Sequence, residues 1–346
     1  MTAAEIRERA HACGFELAGV ARAEPVRERA WYQAWSAGGF AGEMRYLTDR
    51  RAEVREDPRL LLASARTIVV VGKLYNTAWP LSTEFSDAER AWISRYAWGG
   101  DYHSVLRRGL ERLDAGLRAS AAAGYESKIC VDTAPLLERS YARQAGLGWI
   151  GRNTCLINQR SGSWFFLGEL LVSLEIEPGP EEAPPADRCG TCRRCVEACP
   201  TEALVPGPLG YTLDARLCIS YFTIELRGAI PEAHRRAMGR HVFGCDICQD
   251  VCPWNRRAPQ TDEPEFQPRE FAPPLDRLAT LTEAEFRALF EGTPVTRARY
   301  SGFLRNVALA MGTSGLEKFR TPLEALARSQ DPLVAVHARH ALENLK

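Results

Sequence analysis

Apolar residues recur at three- and four-residue intervals from Ile6 to Cys13, which predicts a helix, and Phe15 to Val20 reads as a short strand after it. Thr67 to Val71 (TIVVV) is β-branched and uninterrupted, the pattern of a strand buried on both faces. Leu106 to Ala122 is amphipathic and Ala-rich, a helix ended by Gly124. Ser127–Val131 and Trp164–Leu174 are predicted strands, so residues 1–180 form a domain of α/β or α+β class. Residues 178–185 (PGPEEAPP) cannot continue a strand and mark a boundary. A cysteine-rich module follows over 181–257, and a breaker-rich stretch, 258–274, separates it from a helical tail over 275–346. That tail (281–290, 301–311, 321–328, 333–345) has the look of HEAT-like helix pairs.

Composition narrows the class. The 346 residues carry 44 Lys+Arg against 44 Asp+Glu, with 45% hydrophobic and 25% charged residues, as in a soluble globular protein. No apolar run reaches the ~18–20 residues of a membrane helix; the longest, Trp164 to Ile176, is interrupted by Glu169. The first residues (MTAAEIRERAHACG) are charged where an export signal is apolar, so a cytoplasmic protein without a membrane partner is expected; a monomer is expected as well. Zero net charge removes any whole-molecule argument for nucleic acid, but residues 297–346 hold eight Lys+Arg against four Asp+Glu, a local excess of four.

Eight of the 11 cysteines fall between Cys189 and Cys252. Cys189, Cys192, Cys195, Cys199 and Pro200 form the C-x₂-C-x₂-C-x₃-C-P run of two-cluster iron–sulfur proteins, in which the fourth thiolate serves the other cluster. Cys245, Cys248, Cys252 and Pro253 make the reciprocal half, with Cys218 upstream. The crossing rule assigns Cys189, Cys192, Cys195 and Cys252 to one [4Fe–4S] cluster, and Cys199, Cys218, Cys245 and Cys248 to the other. Paired zinc sites would also use C-x₂-C, but do not require two four-thiol sets each closed by Cys-Pro. Cys13, Cys130 and Cys155 lack ligand spacing and are expected to be small buried residues. Clusters pass single electrons, so another part of the chain must perform any two-electron chemistry.

Gly146-Leu147-Gly148-Trp149-Ile150-Gly151 matches a dinucleotide fingerprint, but it follows a helical stretch and precedes an extended one, the wrong context. Asp132 lies where a strand ends. It is either the cap of a following helix, with Thr133 and Pro135, or a ligand-facing group at a strand end.

Four blocks, VDTAPLLER (131–139), GLGWIGRNT (146–154), GSWFFLGE (162–169) and CISYFTIE (218–225), together with the cysteine module, resemble the epoxyqueuosine reductases. The resemblance spans essentially the whole chain; Cys155 and Tyr141 stand where an Asn and a Trp are expected. It implies reduction of the epoxide of epoxyqueuosine in tRNA to an alkene, with a cobalamin held by the N-terminal domain, two [4Fe–4S] clusters and an external low-potential electron donor. It also implies Asp132 as proton donor, with Arg55, Tyr96, Asp132, Asn153, Thr154 and Ser220 as cobalamin contacts, and a tail that holds tRNA. Arg297, Arg299 and Arg305 are the expected tRNA contacts. A proton donor working at neutral pH needs a raised pKa, which burial beneath cofactor and substrate would supply. Two rivals are a bare ferredoxin-like carrier, which bound corrin would dismiss, and a corrinoid dehalogenase, which an assay on modified tRNA would separate.

Overall fold

The computed structural model describes residues 1–208 and 210–345. Helix α1 (Ala3–Ala12) opens on a Thr2–Glu5 capping box, each side chain meeting the other's backbone N–H. Four strands follow in the first part of the chain: β1 (Leu17–Arg22), β2 (Thr67–Leu74), β3 (Ser127–Cys130) and β4 (Phe165–Val172). Their order is β1-β2-β4-β3 and every neighbouring pair is antiparallel, so the domain is α+β in its pairing.

Burial on both faces explains the unbroken apolar run of β2. Val69 and Val71 join α1 and the helix α2 (Tyr102–Ser120) in one core, through Ile6, Leu106, Leu110, Leu113 and Leu117. Ile68 and Val70 point to the other face, where Tyr141 and Ala142 of α3 (Glu138–Gln144) cover them. An antiparallel sheet with helices on both sides therefore reads in sequence like a parallel one. The α2 helix begins four residues ahead of its apolar stripe, because the Asp101 side chain accepts from His103 N at 3.0 Å and caps it.

The glycine block 146–151 is a turn and hairpin. Gly146, at φ +78°, ends α3, and Trp149–Ile150 pairs with Leu156–Ile157. A Cβ on Gly148 would lie 2.3 Å from the Ile157 carbonyl oxygen, so close approach of two backbones, and no dinucleotide, accounts for that glycine.

In the tail, α4 (Glu283–Phe290), α5 (Arg299–Ser314), α6 (Arg320–Ala327) and α7 (Pro332–Glu343) pack around α5, which is buried from Gly302 to Gly312. Their core is not confined to residues 275–346. It takes in Ala91–Ile93, Ala97 and Trp98, and Val242 and Phe243 beside the cysteine module. No helix among the described residues is long and apolar enough to cross a membrane.

Candidate active site

One cavity of about 1430 Å³ opens between the sheet domain, the cysteine module and the start of the tail. It exceeds the ~300–1,000 Å³ of ordinary small-molecule sites. Arg55, Tyr96, Asp132 and Thr154 line it, as do Glu28, Tyr46, Tyr102, His103, Glu138 and Arg297.

Asp132 follows β3 with φ +52° and stands in a loop; α3 starts only at Glu138, whose cap position is Leu137. The helix-cap alternative is thus excluded, because Thr133 and Pro135 precede the helix by several residues. Asp132 N–H donates to Glu138 Oε1 at 2.7 Å, which holds the loop in its left-handed turn. The carboxyl is 45% exposed to the cavity and its Oδ2 lies 3.4 Å from His103 Nε2. His103 Nδ1 meets Asp101 Oδ1 at 2.6 Å, so the imidazole bridges two carboxylates. Tyr102 stacks on Phe166, with ring centroids 4.2 Å apart, and closes the wall beside Asp132.

These neighbours reverse the expected titration of Asp132. Burial opposes its charge, but the His103 imidazole at ion-pair distance, with Arg297 and Tyr102, outweighs that and holds the carboxyl below its ordinary range. His103 moves the other way: the neighbouring Asp132 carboxylate raises its pKa against burial, helped by Asp101. The proton of the pair therefore resides on the imidazole. Sequence reading missed His103 altogether; its one signal was an Asp-Tyr-His triplet at the mouth of an amphipathic helix.

The expected basic contacts divide. Arg297 Nε pairs with Glu225 Oε1 at 2.6 Å, its guanidinium over the Tyr46 ring, inside the cavity wall. Arg299 is exposed at the start of α5. Arg305 is not a surface residue: it is 0% exposed and donates to the carbonyls of Phe222, Leu226 (3.0 Å) and Gly228 (2.6 Å). Its expected tRNA contact is corrected by this burial, which pushes its pKa down to about 10. Lys346, counted in the tail's charge, lies outside the described residues.

The expected cofactor contacts divide too. Arg55 is buried, donating to the carbonyls of Tyr46 (3.0 Å) and Arg51 (3.1 Å). Asn153 and Ser220 are set back from the cavity lining. Asn153 Nδ2 donates to the Cys248 carbonyl at 3.3 Å, and Ser220 stands at Cys218.

The eight thiols form two groups. Cys195 has Cys252, Cys189 and Cys192 as charged neighbours, while Cys245 has Cys218 and Cys199, and Cys248 has Cys245 and Cys218. The Trp149 indole N–H, fully buried without an oxygen partner, stands at Cys189, where a thiolate-bound cluster would accept it. Of the remaining cysteines, Cys130 is buried and Cys13 half-buried, while Cys155 sits against Cys248.

Comparison with known proteins agrees with this arrangement. Residues 188–255 match the family described as "4Fe-4S double cluster binding domain", and residues 55–133 match "Epoxyqueuosine reductase QueG, DUF1730". The chain is 40% identical, over 98% of its length and 95% of the relative's, to an epoxyqueuosine reductase of Xanthomonas campestris. It is 38% identical, over 95% of its length and 86% of the relative's, to that of Escherichia coli strain K12. A solved epoxyqueuosine reductase from Streptococcus thermophilus superposes with a TM-score of 0.85 at 30% identity, covering 99% of this chain and 90% of that one. Another, solved with a tRNA-Tyr epoxyqueuosine-modified stem loop, superposes with a TM-score of 0.88 at 28% identity, covering 99% and 89%. With its cysteine module, cavity and whole-chain likeness together, the chain belongs to the epoxyqueuosine reductase family of oxidoreductases.

Proposed function

We propose that this enzyme reduces the epoxide of epoxyqueuosine in tRNA to the alkene of queuosine, with Asp132 as proton donor and electrons relayed from an external low-potential donor through the two crossed thiol sets. The carrying observation is that the cavity wall and the cluster thiols are one residue apart. Thr154 lines the cavity while its neighbours Asn153 and Cys155 stand against Cys248.

The net change is epoxide plus two electrons and two protons to alkene plus water. A cobalamin in the cavity supplies the two-electron nucleophilic chemistry that iron–sulfur clusters lack. The cavity's size fits such a group, and Glu28 Oε2, a buried acceptor without a partner on its wall, awaits an amide-like donor. Arg55, Tyr96 and Thr154 would hold it. Asp132 faces the same space and protonates the departing oxygen, drawing the proton from His103. Arg297, kept cationic beside Glu225, offsets charge developing there. Arg297 and Arg299 form a basic rim suited to the phosphates of a tRNA loop. The HEAT-like tail supports that rim, and the enzyme works as a cytoplasmic monomer.

The test is anaerobic turnover of tRNA carrying epoxyqueuosine by enzyme loaded with cobalamin and clusters. Nucleoside mass spectrometry should show queuosine; product absent from the fully loaded enzyme would refute the reading.

A further inference from the structure

Glu169 lies on β4, between Val70 of β2 and Cys130 of β3, on the face covered by α3. It is 0% exposed, and neither of its carboxyl oxygens has a hydrogen-bond partner among N–H and hydroxyl groups of the described residues. The group beside it is the carboxyl of Glu138. Glu138 stands on the cavity wall and accepts the backbone N–H of Asp132. Glu138 thus stands between the buried Glu169 carboxyl and the Asp132 loop at the cavity.

A buried carboxylate without a donor or a cation is too costly to persist, and two touching carboxylates cannot both ionise. The one acceptor available to a protonated Glu169 is Glu138. We infer that Glu138 and Glu169 share a proton at neutral pH and form a reservoir that re-protonates Asp132 for the second proton of the reduction. The inference rests on the proposed role of Asp132.

Proton accounting gives the reservoir its use. Two C–O bonds break and one C=C bond forms, with two electrons entering from the external donor. The oxygen takes one proton as the ring opens and a second as it leaves as water. His103 and Asp132 hold one proton between them; a second must arrive while tRNA covers the cavity.

The surrounding charges permit storage. Burial, then the charge of Asp132, pushes the Glu138 carboxyl up to about 7, and burial with the charge of Glu138 also holds Glu169 well above the usual carboxylate range. The other titratable groups near the pair are Arg139 beside Glu138 and the Cys130 thiol across from Glu169. Tyr102, His103 and Arg297 face Asp132. None of them makes a hydrogen bond or ion pair to Glu169 among the described residues.

Infrared pH-difference spectra of the full chain with its clusters test the store without turnover. The wild type should show a neutral-carboxyl C=O band that titrates near pH 7, and Glu169→Gln or Glu138→Gln should remove it. On modified tRNA, either variant should lower kcat by about 10²-fold with KM unchanged, the low end for a lost acid–base group. Either should also abolish the limb of the pH profile near 7. Both variants keep an amide able to hydrogen-bond, so should one fail to fold, the other carries the same readouts. Absence of the band from the wild type, or wild-type kcat and pH profile in a folded variant, would overturn the inference. Failure of Asp132→Asn to slow the reaction would instead overturn the assignment of Asp132, while the wild-type infrared band would still report the shared proton.

Discussion

Asp132 and His103 titrate as a pair, and their opposite shifts set the pH behaviour of the site. The pair is intact between the lowered pKa of Asp132 and the raised pKa of His103. As pH rises through the His103 value the imidazolium loses its proton and turnover should fall, in an alkaline limb that His103→Gln removes. The same shifts act on stability. The His103 contribution is complete below its unfolded pKa of ~6.5 and lost as pH rises through the folded value. The Asp132 contribution is present above ~3.9 and lost as pH falls through its folded value. Asp132→Asn should retain both clusters and lose about 10²- to 10⁴-fold in turnover; near wild-type turnover would exclude it as donor. Arg305 acts on stability instead. Arg305→Ala leaves the carbonyls of Phe222, Leu226 and Gly228 without their buried donor and should destabilise the fold by about 3 kcal/mol or more in denaturant unfolding. The folded variant should bind tRNA with an unchanged salt slope, whereas Arg297→Ala and Arg299→Ala should each flatten that slope by about one.

Short elements carry the site more than long ones do. The hairpin Trp149–Ile150/Leu156–Ile157 brings Trp149 to Cys189 and Thr154 to the cavity, and it closes only because Gly148 has no side chain. Gly148→Ala should cost about 1–3 kcal/mol by overpacking and reduce cluster occupancy, read by thermal unfolding and by iron content. At α2, the apolar stripe from Leu106 announced the helix but its capped first turn did not stand out, and that turn is where Tyr102 and His103 sit. Polar first-turn residues add nothing to hydrophobic periodicity, so a pattern-based boundary falls short of them.

For the whole molecule, the crossed thiol sets make a separable prediction. Anaerobic reconstitution should give about eight iron per chain, and Cys252→Ser should impair the set of Cys189, Cys192 and Cys195 while leaving about four. Loss of the other centre's signal in that variant would contradict the crossing. The tail is tied to the cysteine module by Arg305 and by Asn306, whose Nδ2 donates to the carbonyls of Thr223 and Val242 at 3.0 and 2.9 Å. Tail and module should therefore unfold together.

By itself the sequence determined the features whose chemistry is local. The thiol spacing is dictated by the size of a cube, the β-branched run of β2 by burial on two faces, and the breaker segments by proline. The Asp132 block and the resemblance it carries were equally legible. Tertiary structure decided what depends on residues far apart in the chain. The antiparallel sheet order is one case, because β2 reads the same in either pairing. Arg305 in the core is another, because a charge in a helix looks alike to sequence whether it meets water or three carbonyls. The last is the titration of Asp132, lowered by His103 and Arg297, which only the fold brings to it.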